Sequence, residues 1–443
     1  ANQSGDDNTS FVTQTGTGVN ADVDQIGLGG TSTVNQGGTG NLATVSQEGV
    51  DLDGSGATDT SVVAQTGTGQ DATLQQVGDD NSSTIVQNNA DNFANVLTAG
   101  VGNSTDVTQN GTDGVADVEQ QGDGNSSVVV QAGTEALAVV DQLSDDSSSI
   151  ITQAGDRSTA EVVQTGTNQS LILNQNSPAD IFNAAAGAQV IQGGADNVAD
   201  ILQTGDTPVP GTGSATGFSV LGRFSSPGAL VTQNGTGTAV DIDQTGFTNL
   251  AQTNKAGTTN DATVFQSGEN TFGTAFQNGT DNGSSITQSG TIQNGAGIFN
   301  AFTQQFGSTN TATVVQNGIA DNFTVQARTV QSGTGNGLTI TQSGTNDSVF
   351  VDQIGDGNMS TVSQLAGGLT NEGDINQNGD NGVSELTQSG DSQFAELFQN
   401  GDLNTSVITQ SGSTNSATVT QNSDSNFSGV TMGGTGNTVT VTQ

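Results

Sequence analysis

The sequence predicts an all-β fold, a two-sheet β-solenoid of stacked strand-turn-strand units with about 22 residues per turn and about 18–19 turns, polymerising into a fibre. Three observations carry this. Glutamines recur at every eleventh position, most regularly at Gln109, Gln120, Gln131, Gln142, Gln153, Gln164 and Gln175. Two places before each stands a branched aliphatic, Val107, Val118, Val129, Val140, Ile151, Val162 or Leu173, and four places before stands a mostly small residue such as Thr105, Ala116 or Ser127. Apolar or small side chains at alternate positions mark a strand with one buried face. A glycine two places after most of the glutamines, as at Gly111, Gly122 and Gly133, marks the bend that ends the strand.

The turn follows from asking where such a unit can go. About seven residues span a strand and about four make the bend, so two units bring the chain back to its start. Each circuit rises ~4.8 Å, the spacing of hydrogen-bonded strands, which gives a rod on the order of 90 Å. Two parallel sheets then face each other across roughly 10 Å, with the aliphatic and small positions meeting between them.

Composition leaves little room for anything wider. Of 443 residues only 30% are hydrophobic and 4% aromatic, 64 are glycine, and Trp, Tyr, His and Cys are absent. Such a chain cannot fill several globular cores, yet a thin core can be continuous when its aliphatics keep to one place in a repeat. The repeat begins at Gln3 and runs through Gln14, Gln25, Gln36 and Gln47. It covers residues 1–443 as a single domain of eleven-residue half-repeats, with loop insertions near 48–58, 176–185, 204–226, 289–301, 317–328 and 365–373. Pro178, Pro208, Pro210 and Pro227, the only prolines, fall in two of these insertions, where no ladder needs their missing N–H. Lys255 and Met432 stand in glutamine places, and Lys255 reads as a tolerated variant.

Polar residues of the same parity as the core must also point inward. The glutamines do, and so do asparagines six places before them, among them Asn41, Asn81, Asn103, Asn125, Asn415 and Asn437. Each amide is expected to bond to the identical amide one turn above and below, forming structural ladders. Phe11, Phe93, Phe265, Phe276, Phe350, Phe394 and Phe398 have the opposite parity and should face outward.

The net charge of −40 reads as a solvated surface that keeps assemblies apart. Divalent cations are possible partners, with Asp51 and Asp53 in a D-x-D-G-S-G string as a weak calcium candidate. Nucleic acid is excluded by the sign of the charge, and no apolar run reaches the ~18 residues of a membrane span. Without His or Cys no acid-base or thiol chemistry is apparent. The Gly-x-Gly strings lack a following βα unit, so no enzyme and no cofactor is predicted.

The pattern resembles the curlin repeat, S/N-x-A-x3-Q-x-G-x-x-N, closely at Asn41-Leu42-Ala43-Thr44-Val45-Ser46-Gln47 and at Asn415-Ser416-Ala417-Thr418-Val419-Thr420-Gln421. The resemblance covers most of the chain and implies a secreted subunit of curli, the bacterial functional amyloid of biofilm matrices. By that resemblance copies of the chain stack into extracellular cell-surface fibres, with a nucleator and secretion machinery as partners. The chain departs from the family in its many repeats, its insertions and its lack of Tyr and His. Ala1 in first place, with Gln3 already in register, reads as a mature chain after signal removal. Neither terminus shows a polar cap, and the last unit, Asn437 to Gln443, is a good copy of the repeat, so its ladder is expected to be open to the first unit of another molecule. The alternative is a monomeric solenoid that acts as an adhesin or binds ice or glycan. An ice face needs a regular outward Thr ladder, and the outward residues Thr13, Asp24, Asn35, Ser46 and Ala64 look too irregular for one.

Overall fold

The structure is a computed structural model that describes residues 1–49, 59–176, 186–205, 228–246, 249–293, 297–321 and 324–443. Every regular element among them is a β-strand. The chain falls into two compact units, one of Ala1–Pro208 with Thr216–Thr232, the other of Val209–Ala215 with Gln233–Gln443.

In the first unit successive strands go alternately to two parallel sheets. The front sheet runs from Thr9–Gln14 to Val198–Gly205 and includes Ser104–Gln109, Ser126–Gln131, Ser148–Gln153 and Ser170–Gln175. The back sheet includes Phe93–Val101, Val115–Gln121, Leu137–Gln142 and Thr159–Gln164. Each strand pairs with the one two half-repeats away, so like stacks on like. Val107 lies on Val129, Ile151 and Leu173, and Gln109 lies on Gln131, Gln153 and Gln175. Register of this kind follows from the hydrophobic pattern, because a slip by one residue would turn every aliphatic to water.

The core is a ribbon between the sheets. Val107, Val118, Val129, Val140, Ile151 and Val162 are all fully buried, with Ala116 and Ala138 beside them. Burying each branched side chain contributes about 1.5–3 kcal/mol. The second unit repeats the arrangement. Thr311–Gln316, Gly337–Gln342 and Met359–Gln364 lie in one of its sheets, and Ser348–Ile354, Glu372–Asn378 and Phe394–Asn400 in the other.

The glycine after the glutamine does more than bend the chain. A Cβ on Gly111 would lie 1.7 Å from the carbonyl oxygen of Gly133, one turn on. At Gly111 the stacked bends approach too closely for a side chain to fit between them.

Two sequence expectations change here. The insertions near 289–301 and 317–328 are not simple loops, since Thr291–Gln293 pairs in parallel with Ile319–Asp321. That extra rung continues through bridges from Ile319 to Thr345 and from Thr345 to Leu369. It covers a small second core in which Phe299 packs against Ala320, Val325 and Ile292. Sequence order also hid the outer columns, because neighbouring half-repeats belong to opposite sheets. Thr13 stacks on Asn35 and Ala64, whereas Asp24 stacks on Ser46. Sorted in this way, the second unit does carry a regular outward hydroxyl ladder of Thr263, Ser285, Thr313, Thr339 and Thr361.

Candidate assembly site: the amide columns

The glutamines form two hydrogen-bonded columns in each unit. In the front sheet of the first unit Nε2 of Gln14 donates to Oε1 of Gln36, and Gln36 to Gln65, each at 2.8 Å. The same contact joins Gln109 to Gln131 at 2.8 Å, Gln131 to Gln153 at 2.9 Å and Gln153 to Gln175 at 3.0 Å. In the back sheet Gln25 donates to Gln47 at 2.7 Å, and Gln120 to Gln142 and Gln142 to Gln164 at 2.8 Å. The columns are directional, because the donor always lies on the earlier turn.

The second Nε2 proton ties the two sheets together. Gln131 donates to the carbonyl of Val115 at 2.8 Å, and Gln153 to that of Leu137 at 2.9 Å. Val115 and Leu137 begin strands of the opposite sheet. One amide therefore bonds along the axis and across the core. Apart from Gln3 and Gln14, which are exposed, the predicted glutamines lie in the buried interior. An unpaired amide there would cost about 1–3 kcal/mol.

The asparagine column is built differently from the expected amide-on-amide stack. Oδ1 of Asn81 accepts the backbone N–H of Asn103, that of Asn103 accepts Asn125, and that of Asn125 accepts Ser147, at 3.1, 2.8 and 2.9 Å. Meanwhile Nδ2 of Asn81 and Asn103 donates to the carbonyls of Gly100 and Gly122. Asn41 likewise accepts from the backbone of Gln70. These Asn amides brace the bends through the main chain, and in the second unit Asn282 also donates to Asn260 and Asn310 to Asn282, each at 3.1 Å. Direct amide contact does occur where Asn437 donates to Asn415 at 3.1 Å, alongside the backbone bond.

Substituted ladder positions break the pattern. Thr98 stands in a glutamine place, and hydroxyls of the facing sheet bridge the gap: Gln76 donates to Ser83, which bonds Thr98, while Thr105 donates to Gln120. Lys255 is fully buried in the glutamine column of the second unit. Its Nζ donates to the carbonyls of Ala239 and Asn260, and Oε1 of Gln277 on the next turn has no partner. Burial lowers the Lys255 ammonium to about 7, with Asp261 pulling the other way.

Asp59 and Asp347 occupy asparagine places and are wholly buried. Burial pushes both carboxyls up to about 6, against the backbone N–H groups of Asn81 and Asn371 that they accept. Oδ2 of Asp59 has no partner. The sequence held the signal for both, since each stands six places before a ladder glutamine.

Asp51 and Asp53 lie outside the described residues. Among the described residues no group of three or more Asp or Glu is arranged to hold a metal ion, and no helix is long and apolar enough to cross a membrane. The arrangement offers directional hydrogen bonding repeated at every turn, which is binding chemistry.

Three stretches of the chain, 257–290, 333–365 and 390–422, match the model of the curlin associated repeat. No curated protein matches the chain.

Proposed function

We propose that this curlin-repeat chain is a secreted structural subunit that stacks end to end on further copies of itself into extracellular amyloid-like fibres of a biofilm matrix, for cohesion and surface attachment. The observation that supports this most is the direction of the columns. Every turn offers amide donors on one side and amide acceptors on the other, as Gln131 does towards Gln153 and Gln109. A contact made by unlike, complementary surfaces leaves a free surface at each end, and where its rotation does not close a ring it extends into a filament. The parallel ladders supply the same polarity through the main chain. A nucleator and secretion machinery are the partners that the family resemblance implies.

A second reading, a solenoid that binds ice or glycan, draws on the outward hydroxyl ladder from Thr263 to Thr361. Electron microscopy of the purified chain after hours in buffer separates the two. Unbranched filaments are the expected result. Discrete short particles that bind ice or polysaccharide would favour the second reading.

A further inference from the structure

The two outer faces of the first unit differ in charge. On the front sheet the outward triplets of three successive strands are Ser126, Val128 and Val130, then Ser148, Ile150 and Thr152, then Ser170, Ile172 and Asn174. Register stacks serine on serine and places Val128, Ile150 and Ile172 in one apolar rib. Ile150 and Ile172 are 40% and 39% exposed, so the rib lies at the surface. The hydroxyl column continues through Ser104, Ser82, Thr60, Thr31 and Thr9. Asp106 and Asp200 are the only charged residues at these outward places among the described residues of the sheet. The back sheet of the same turns carries Asp117, Glu119, Asp141 and Glu161 outward. Burial and then its neighbours Glu119, Asp117 and Glu161 push the Asp141 carboxyl up.

A chain of net charge −40 can lie against its own copy only where carboxylates are sparse. The front face meets that condition and has the small, β-branched, uncharged side chains that dry sheet-to-sheet contacts use. Its strands of six residues span ~20 Å, and nine turns rise ~43 Å. That area of roughly 850 Å² equals one partner's share of a standard specific interface. Resting on the filament reading above, we infer that the front face of the first unit pairs with the same face of a second copy, so that filaments associate in twos. The acidic back face then stops further bundling.

Mass per length of assembled filaments, measured by scanning transmission electron microscopy, tests this. Wild-type filaments should hold two chains per cross-section, and the variant Ile150→Asp/Ile172→Asp one, with elongation intact. The variant Ile150→Thr/Ile172→Thr should keep two. Neutralising the back face with Asp117→Asn/Glu119→Gln/Asp141→Asn/Glu161→Gln should give bundles of more than two. Wild-type filaments one chain wide, or aspartate-variant filaments still two wide, overturn the pairing and leave the filament reading standing. Single filaments that pellet with crystalline cellulose through this face assign it to polysaccharide and overturn the pairing too. If no filaments form, the filament reading fails and sedimentation judges the face: a dimer lost in the aspartate variant upholds it, and a monomer overturns it.

Discussion

Gln131 donates to Gln153 one turn further along at 2.9 Å while accepting from Gln109 at 2.8 Å. Gln131→Leu keeps the volume but strands the Gln153 oxygen and one Gln109 proton in a buried site. Two orphaned groups should cost roughly 2–5 kcal/mol. We expect a lower urea midpoint at unchanged slope. A midpoint equal to wild type would show that the column contributes no stability.

Lys255 should make the second unit more stable in alkali than at neutral pH. Its folded pKa of about 7 lies below the ordinary lysine value of 10.5, so the folded state prefers the neutral amine. The stability tied to that preference is present above pH ~10.5 and is lost as pH falls to ~7. Lys255→Gln should abolish this dependence, give Gln277 a donor and raise the melting temperature at pH 7. The two proteins are compared by thermal unfolding between pH 7 and 10, and parallel curves would refute the account.

Asp59 and Asp347 should act in the acid range. Their folded pKa values of about 6 exceed the ordinary aspartate value of 3.8. The folded state therefore binds protons more readily, and stability rises as pH falls through 6 towards 4. Asp59→Asn should stabilise by about 1–3 kcal/mol at pH 7, whereas Asp347→Asn should gain less, because Oδ2 of Asp347 accepts the Gly344 N–H and an amide nitrogen cannot. Near pH 4 the gain should vanish. A gain that is the same at both pH values would contradict the burial of the charge.

Glycines of two kinds should behave differently. Gly111→Ala places a methyl 1.7 Å from the Gly133 oxygen, which demands that stacked turns separate, at a cost of about 3 kcal/mol or more. Gly18, at a φ of +65°, has open space around it, so Gly18→Ala meets only the left-handed backbone penalty of about 1–2 kcal/mol. Denaturation of the two variants side by side measures the difference, and equal losses would rule out axial crowding.

Added salt should speed assembly. With a net charge of −40, copies repel one another until screening shortens to ~10 Å at 0.1 M. Half-times of filament growth followed by amyloid-dye fluorescence should fall from low salt to 0.1 M NaCl. Half-times independent of salt would count against a charge barrier.

The period of the glutamines was enough to place Val107, Val118 and their equivalents in the core, because a side-chain period of two leaves no other choice. The sequence could not say which half-repeats share a sheet until the winding was known. Outward Thr13 and Asp24 therefore looked like one irregular series when they belong to different faces. The pairing of Thr291–Gln293 with Ile319–Asp321 was hidden for a related reason, since it joins two insertions in successive turns. The asparagines point to the side that parity gives them. Their Oδ1 atoms accept main-chain N–H groups, as at Asn81 and Asn103, while Asn310 and Asn437 also make the expected bond to an asparagine one turn away.

The contact from Gln36 to Gln65 closes over 29 residues of chain and that from Gln342 to Gln364 over 22, yet the distances are 2.8 and 3.0 Å. Corner length is thus decoupled from column geometry. Foreign peptides grafted into the corners should be displayed at regular intervals without disturbing the scaffold that carries them.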